Sequence, residues 1–237
     1  MLIFYTVGIT ANLKTVNEKI SRSALKAGRD PQDVKLIAVT KTVALPDIME
    51  AVNTGLLILG ENKVQEAEKK VKSEELRVKS EKIEWHLIGH LQKNKAKTAV
   101  ELFDLIHTID SIELADGVNK QAKKMSKKQR VLIQVKLSDE ATKHGVEEKD
   151  MMELFEAVSK MQNLKLEGLM TIPPYFADPE KVRPYFRRLR ELREKAGKKG
   201  YNLPELSMGM SNDFEVAIEE GSTMVRIGTA IFGERGL

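Results

Sequence analysis

Hydrophobic positions along the chain fall into two kinds of short run that take turns. Val34–Val39 (VKLIAV) alternates apolar and polar residues and is rich in β-branched side chains, and Gly28, Asp30 and Pro31 punctuate the loop before it, so it predicts a strand. Similar runs follow at Leu56–Glu61, Ile83–Gly89, Leu105–Asp110, Arg130–Leu137, Leu166–Ile172, Leu206–Met210 and Met224–Phe232. The stretches between them carry helical spacing. A leading helix from Ala11 to Ala27 places Leu13, Val16, Ile20, Ala24 and Ala27 on one face, and Gly28 ends it. Further helices are expected from Pro46 to Gly55, from near Asn62, and over Asn94–Val100, Ile112–Met125, Glu147–Met161, Pro179–Lys198 and Asp213–Glu220. Strict alternation of strand and helix predicts a parallel sheet. Eight strands in this length predict an α/β fold of the closed (β/α)8 TIM-type barrel, with an extra N-terminal helix. An open doubly wound sheet is the alternative. In both, ligands gather at the carboxyl ends of the strands.

Lys41 falls at such an end. Period two puts Lys35, Ile37, Val39 and Lys41 on one face and Leu36, Ala38 and Thr40 on the other. A lysine on a barrel lip in apolar company is placed to lose solvation, which lowers its pKa and frees a neutral amine to form a Schiff base with a carbonyl. A surface lysine that merely ends a strand has the same local pattern. The segments Leu206–Asp213 (LSMGMSND) and Val225–Gly233 (VRIGTAIFG) each set a glycine and a hydroxyl at a strand end, Gly209 with Ser211 and Gly228 with Thr229. Backbone N–H groups in such turns can cradle phosphate, and barrels commonly bind phosphate after strands seven and eight. Ordinary capping also accounts for the pattern, since Asn212 and Glu215 have capping-box spacing.

Composition narrows the classes without naming one. The 237 residues suit one domain spanning 1–237, and 39 basic against 35 acidic side chains leave a net charge of +4, too mild to imply nucleic acid. There is no cysteine, which excludes disulfides and thiolate metal sites and fits a reducing compartment. The start, MLIFYTVGIT, lacks a basic region and is broken by Gly8, unlike a signal peptide, and no run of about 18 apolar residues predicts a membrane span. A soluble cytoplasmic monomer is the expectation. Glu68–Lys82 is densely charged with mixed signs, the mark of a solvated helix face and loop.

Six longer motifs carry a resemblance: LIAVTKTV at 36–43, GENKVQE at 60–66, WHLIGHLQKNK at 85–95, LMTIPP at 169–174, LSMGMSNDFEVAI at 206–218 and GSTMVRIGTAIFG at 221–233. Through them nearly the whole chain resembles the YggS-type pyridoxal-phosphate homeostasis family, which is similar to the N-terminal barrel of alanine racemase. The resemblance implies that Lys41 holds pyridoxal 5'-phosphate as a Schiff base and that Asn62 lies beside the cofactor. It further implies that Ser211, Gly228 and Thr229 hold its phosphate and that Arg226 faces its pyridine nitrogen. Met208 joins the candidate cofactor contacts, although Met170, Met208 and Met210 all suit barrel packing. Lys63 and Lys93 depart from the pattern, where tyrosine and serine are usual.

Pyridoxal catalysis draws electrons into a protonated pyridinium, and a cationic Arg226 at that nitrogen disfavours the protonation. Alanine racemases add a second base from another domain and subunit, whereas here the barrel is expected to take up the chain, with only Glu234–Leu237 beyond its last motif. The expectation is therefore a carrier that buffers or delivers the cofactor, with apo forms of pyridoxal-dependent enzymes as partners and little turnover. A pyridoxal-dependent racemase or lyase and a cofactor-free Schiff-base aldolase are the competitors. His86 and His90 read as core or supporting residues rather than as acid/base groups or metal ligands. The basic cluster Lys123, Lys124, Lys127, Lys128 and Arg130 reads as a solvated helix end, because no aromatic residues interleave it for RNA stacking.

Overall fold

A computed structural model of the chain describes residues 8–77, 83–138, 140 and 143–234. The expectations for residues 1–7, for the end of the charged stretch at 78–82 and for the tail at 235–237 lie outside the described residues. The strands are β1 (Lys35–Val39), β2 (Ile58–Glu61), β3 (Glu84–Leu87), β4 (Leu105–Ile109), β5 (Gln129–Lys136), β6 (Val146–Glu147), β7 (Leu164–Met170), β8 (Glu205–Ser207) and β9 (Met224–Ile227). All pairings are parallel. The order β4-β3-β2-β1-β9-β8-β7-β5 closes on itself through β4–β5, while β6 adds a short edge to β5. The chain thus forms the expected closed eight-stranded barrel.

Around it run α1 (Ile9–Lys26), α2 (Leu45–Asn53), α3 (Val64–Val71), α4 (Glu74–Arg77), α5 (Ala96–Leu102), α6 (Ile112–Lys124), α7 (Met151–Ser159), α8 (Arg183–Gly197), α9 (Phe214–Glu219) and α10 (Thr229–Phe232). Period two along the strands divides the apolar residues into two layers. Ile37, Leu105, Leu132, Met170 and Met224 pack inside the barrel. Leu36, Ala38, Leu59, Ile106, Val131, Leu169, Leu206, Val225 and Ile227 face outward against the helices. The leading helix α1 buries Leu13, Val16, Ile20 and Ala24, as its spacing predicts, and ties its polar side to α9 through Lys19–Glu215, Arg22–Glu215 and Lys26–Glu219. Gly168 is required where β7 meets β8, because a Cβ there would lie 1.9 Å from the Glu205 carbonyl oxygen. Among the described residues no helix is long and apolar enough to cross a membrane.

Several boundaries differ from the sequence expectation for identifiable reasons. The last strand ends at Ile227, and Thr229–Phe232 turns helically because Ile231 and Phe232 donate back to the Gly228 carbonyl at 2.9 Å. Glu147, expected to open a helix, instead forms β6 with Val146 and pairs with Lys136 beside Val135, so the helix begins at Met151. The helix expected from near Asn62 starts at Val64. The Asn212–Glu215 capping box does not form: Asn212 donates to the Phe176 carbonyl, and Glu215 is held by Lys19 and Arg22. Nor is the basic cluster wholly solvated. Lys127 donates 2.7 Å bonds to the carbonyls of Val100 and Phe103 at the end of α5, and Arg130 pairs with Glu84 and Glu167.

Candidate functional site

Lys41 stands in the turn just after β1, and its neighbours hold that turn from several sides. Thr40 Oγ1 donates to Glu61 Oε1 at 2.6 Å, Thr42 N–H donates to Glu66 Oε1 at 2.5 Å, and Lys70 Nζ donates to the Thr40 carbonyl at 2.5 Å. Lys70 also bridges Glu61 and Glu66, at 2.6 and 2.8 Å. Thr42 adopts φ +59°, a left-handed conformation that costs energy for a β-branched residue and persists only where its surroundings impose it. The Lys70 side chain is buried, contrary to the solvated face expected of Glu68–Lys82. Burial pushes the Glu61 carboxyl upward, opposed by its bonds from Lys70 and Thr40. For Glu66, burial raises and the bonds from Lys70 and the Thr42 amide lower, with a net downward shift.

The Lys41 side chain itself is exposed at the barrel mouth. The desolvation expected of it is not supplied by the protein, because the lysine lies beyond the end of the strand and not within the barrel. It lines a cavity of about 650 Å³ together with Ser211, Asp213, Arg226, Gly228 and Thr229. Five of the seven residues singled out from the sequence therefore meet in one space. Ser211 Oγ lies 3.4 Å from the Gly228 N–H and 3.3 Å from that of Ala230, so two backbone donors converge on one oxygen at this wall. Such a convergence suits a phosphate oxygen. Asp213 shares the wall; burial raises its pKa, against the Met210 amide it accepts from at 2.6 Å and the nearby Arg226.

The other two residues are placed elsewhere. Met208 is completely buried in the outer core: alternation turns Leu206 and Met208 toward the helices and Ser207 into the barrel. Met210 lines the cavity instead. Asn62 lines a neighbouring opening with Gly89 and His90. A separate groove of about 1040 Å³ lies far from this chemistry, between α1 and the amino-terminal approach to β2.

Arg226 is buried and points into the barrel. Its guanidinium donates to Ser207 Oγ at 2.7 Å and to the Thr171 carbonyl at 2.9 Å, both neutral oxygens. Burial pushes its pKa down to about 10, with Asp213 working the other way, so it remains a cation at neutral pH. Ser207 continues to His107 Nδ1 at 2.9 Å, His107 Nε2 meets His86 Nδ1 at 3.0 Å, and His86 Nε2 meets Glu84 Oε1 at 2.9 Å. Arg130 closes the far end on Glu84 and Glu167. Burial first, then His86, Arg226 and Arg130, holds His107 well below the ordinary histidine range. Glu84 is held down to about 2, chiefly by its hydrogen bond with His86. Because arginine only donates, neutral rings are satisfied when Ser207 donates to His107, His107 to His86, and His86 to Glu84. A directed chain thus crosses the barrel interior, and His86 serves the core, as expected.

A parallel barrel that gathers a primary amine, a buried guanidinium and convergent N–H donors at its mouth offers the chemistry needed to hold an aldehyde-bearing anion. The chain belongs to the alanine racemase, N-terminal domain, family, whose pattern matches residues 11–236. It is 50% identical over 225 residues to the pyridoxal phosphate homeostasis protein of Aquifex aeolicus, covering 94% of this chain and 96% of that one. The protein of the same name from Escherichia coli is 43% identical over 233 residues, covering 96% and 97%. Among solved structures, PipY of Synechococcus elongatus with PLP bound superposes with a TM-score of 0.81 at 35% identity, covering 92% of this chain and all of that one (100%). An alanine racemase of Clostridium difficile, 15% identical with a TM-score of 0.72, covers 95% of this chain and 57% of its own, and shares the fold.

Proposed function

We propose that this protein binds pyridoxal 5'-phosphate reversibly, with Lys41 as its covalent anchor, and buffers or delivers it with little turnover of its own. The observation that carries this is the single cavity in which Lys41, Ser211, Arg226, Gly228 and Thr229 meet. The names of the Aquifex and Escherichia relatives and the PLP-bound PipY structure support it. When bound, pyridoxal phosphate supplies an aldehyde that amines capture and a pyridine ring that withdraws electrons only when protonated. The fit to this chain is chemical: Lys41 offers the amine, the donors converging at Ser211 with the Thr229 hydroxyl would hold the phosphate, and Arg226 would face the ring nitrogen. A guanidinium can only donate, so Arg226 would keep that nitrogen unprotonated and weaken the electron sink. Asn62, in the adjoining opening, would border the ring. The setting proposed is a cytoplasmic monomer formed by a single domain, passing cofactor to apo forms of pyridoxal-dependent enzymes.

Purified protein should be yellow, and borohydride reduction followed by peptide mass spectrometry should place the pyridoxyl group on Lys41. A colourless protein that cannot be reconstituted would favour an aldolase. Attachment mainly at Lys63 or Lys93 would remove Lys41 from its role, and robust racemisation of alanine would replace the carrier with an enzyme.

A further inference from the structure

The chain has four histidines, of which His86 and His107 are fully buried and spent on each other. The remaining two, His90 and His144, are exposed, and they come from loops more than fifty residues apart. Their rings nevertheless lie face to face, with centroids 3.8 Å apart and planes 12° from parallel. Asp110, at the carboxyl end of β4, completes the group. One ligand atom from each of His90, Asp110 and His144 lies within 4.8 Å of the others.

The spacing is informative. His90 Nδ1 and Asp110 Oδ2 are 3.5 Å apart, beyond a good N–H···O hydrogen bond. Two ligands at about 2.0–2.1 Å from one ion in a tetrahedral arrangement are separated by about 3.4 Å, so the pair has the length of a coordination edge.

The backbone behind each imidazole is fixed. Thr108 Oγ1 holds the carbonyl of Gly89, next to His90, at 2.9 Å, and Gln134 Nε2 holds the His144 carbonyl at 2.9 Å. Gly145, at φ +134°, brings the His144 loop so close to β5 that a Cβ would sit 2.7 Å from the Lys136 nitrogen. Ligands carried on fixed backbone lose less entropy when an ion orders them.

We propose that His90, Asp110 and His144 bind a divalent first-row transition metal ion, with Zn²⁺ as the representative ion. Two imidazoles and one carboxylate are a borderline-soft donor set that favours such ions over Ca²⁺ or Mg²⁺, and three protein ligands leave a coordination position open. This site shares no residue with the proposed pyridoxal phosphate contacts and stands independently of them. On this proposal His90 takes the ligand role that the sequence expectation set against a core or supporting one, and its exposure already keeps it out of the core.

The absence of cysteine makes the test clean, because no thiolate competes for the ion. Tag-free, chelator-treated protein is titrated with ZnCl₂ by calorimetry and with Co²⁺ by visible absorption. The expected result is one ion per chain, with the intense visible bands of low-coordinate Co²⁺. His90→Asn and His144→Asn should each weaken binding by about tenfold or more, and Asp110→Asn by a comparable factor. Each variant should retain the far-ultraviolet dichroism of the parent. Absence of one-to-one binding in the parent, or undiminished binding in the His90→Asn/His144→Asn double variant, would overturn the site.

Discussion

Replacing Lys70 with methionine isolates the physical basis of the Lys41 turn. Methionine keeps the apolar stem and nearly the volume of lysine, so little cavity opens, but the ammonium and its three bonds, to the Thr40 carbonyl, Glu61 and Glu66, are lost. Glu61 then suffers most. It is fully buried, its Oε2 already has no hydrogen-bond partner among the described residues, and its Oε1 would keep only the Thr40 hydroxyl. Removing one member of a buried ion pair costs about 3–5 kcal/mol, because the other charge is stranded. At roughly 2–4 °C per kcal/mol for a chain of this size, the melting temperature should fall by roughly 6–20 °C.

The pH dependence has a definite sign. Burial already raises the Glu61 pKa, and Lys70→Met removes the strongest opposing influence, so the folded protein would bind a proton more readily than the unfolded one. Stability tied to a raised carboxyl pKa is present at low pH and is lost as pH rises through the folded value. The deficit of Lys70→Met relative to the parent should therefore be largest at pH 8 and shrink toward pH 5. Urea unfolding at both pH values measures it. Adding Glu61→Gln should restore much of the loss, since a neutral amide still accepts from Thr40. A loss below about 1 kcal/mol, a deficit that ignores pH, or a double variant as unstable as Lys70→Met would refute the buried-pair account.

Further expectations follow from individual contacts. Ser207→Ala strands Arg226 and His107 Nδ1 without their shared hydroxyl, and urea unfolding should show a loss of about 1–3 kcal/mol per unpaired group. Because His107 stays neutral in the folded barrel while the unfolded chain protonates near pH 6.5, parental stability should decline below about that pH, and His107→Gln should flatten the slope of a pH series of unfolding midpoints. Gly168→Ala should fail to fold or melt far below the parent, since its Cβ would collide with the backbone oxygen of Glu205, whereas Gly197→Ala, with open space around it, should gain up to about 1 kcal/mol; thermal melts distinguish them. On the proposed function, Ser211→Ala or Thr229→Ala should each cost about 1.5–3 kcal/mol of pyridoxal phosphate affinity while leaving binding of unphosphorylated pyridoxal almost unchanged.

The barrel was legible because its signals are local and repeated. Alternation along Val34–Val39 correctly divided Ile37, inside, from Leu36 and Ala38, outside, and the same rule turned Arg226 inward with Met224. The errors came where a contact distant in sequence decides a local conformation. Nothing near Val146 announces its pairing with Val135, and the sequence of β9 does not reveal that the Gly228 carbonyl captures two amides and bends the chain into α10. Of the two roles the sequence left open for Met208, packing is the one the structure shows: the alternation that sets Ser207 inside the barrel sends its neighbours out, a consequence available from the sequence once β8 is placed.

The site was legible in its chemistry and opaque in its support. Lys41, Ser211, Arg226, Gly228 and Thr229 stand in long motifs, whereas Lys70 sits among lysines and glutamates that look alike, and charge density alone cannot say which of them turns inward. A usable signal does exist. Lys70 follows Glu66 by four residues, as an i,i+4 pair requires, and sits on the same α3 face as Ala67 and Val64, both buried. That face must meet the barrel, so a lysine on it needs buried anionic partners, and Glu61 at the end of β2 is the nearest in sequence on an inward-packed strand. The His107 chain had no comparable sign, because its members come from β3, β4, β8 and β9, and only closure of the barrel brings them together. Closure also explains why the chain has direction: at one end Arg226 can only donate, at the other the Glu84 carboxylate can only accept, and Ser207, which accepts from Arg226, is left to donate to His107.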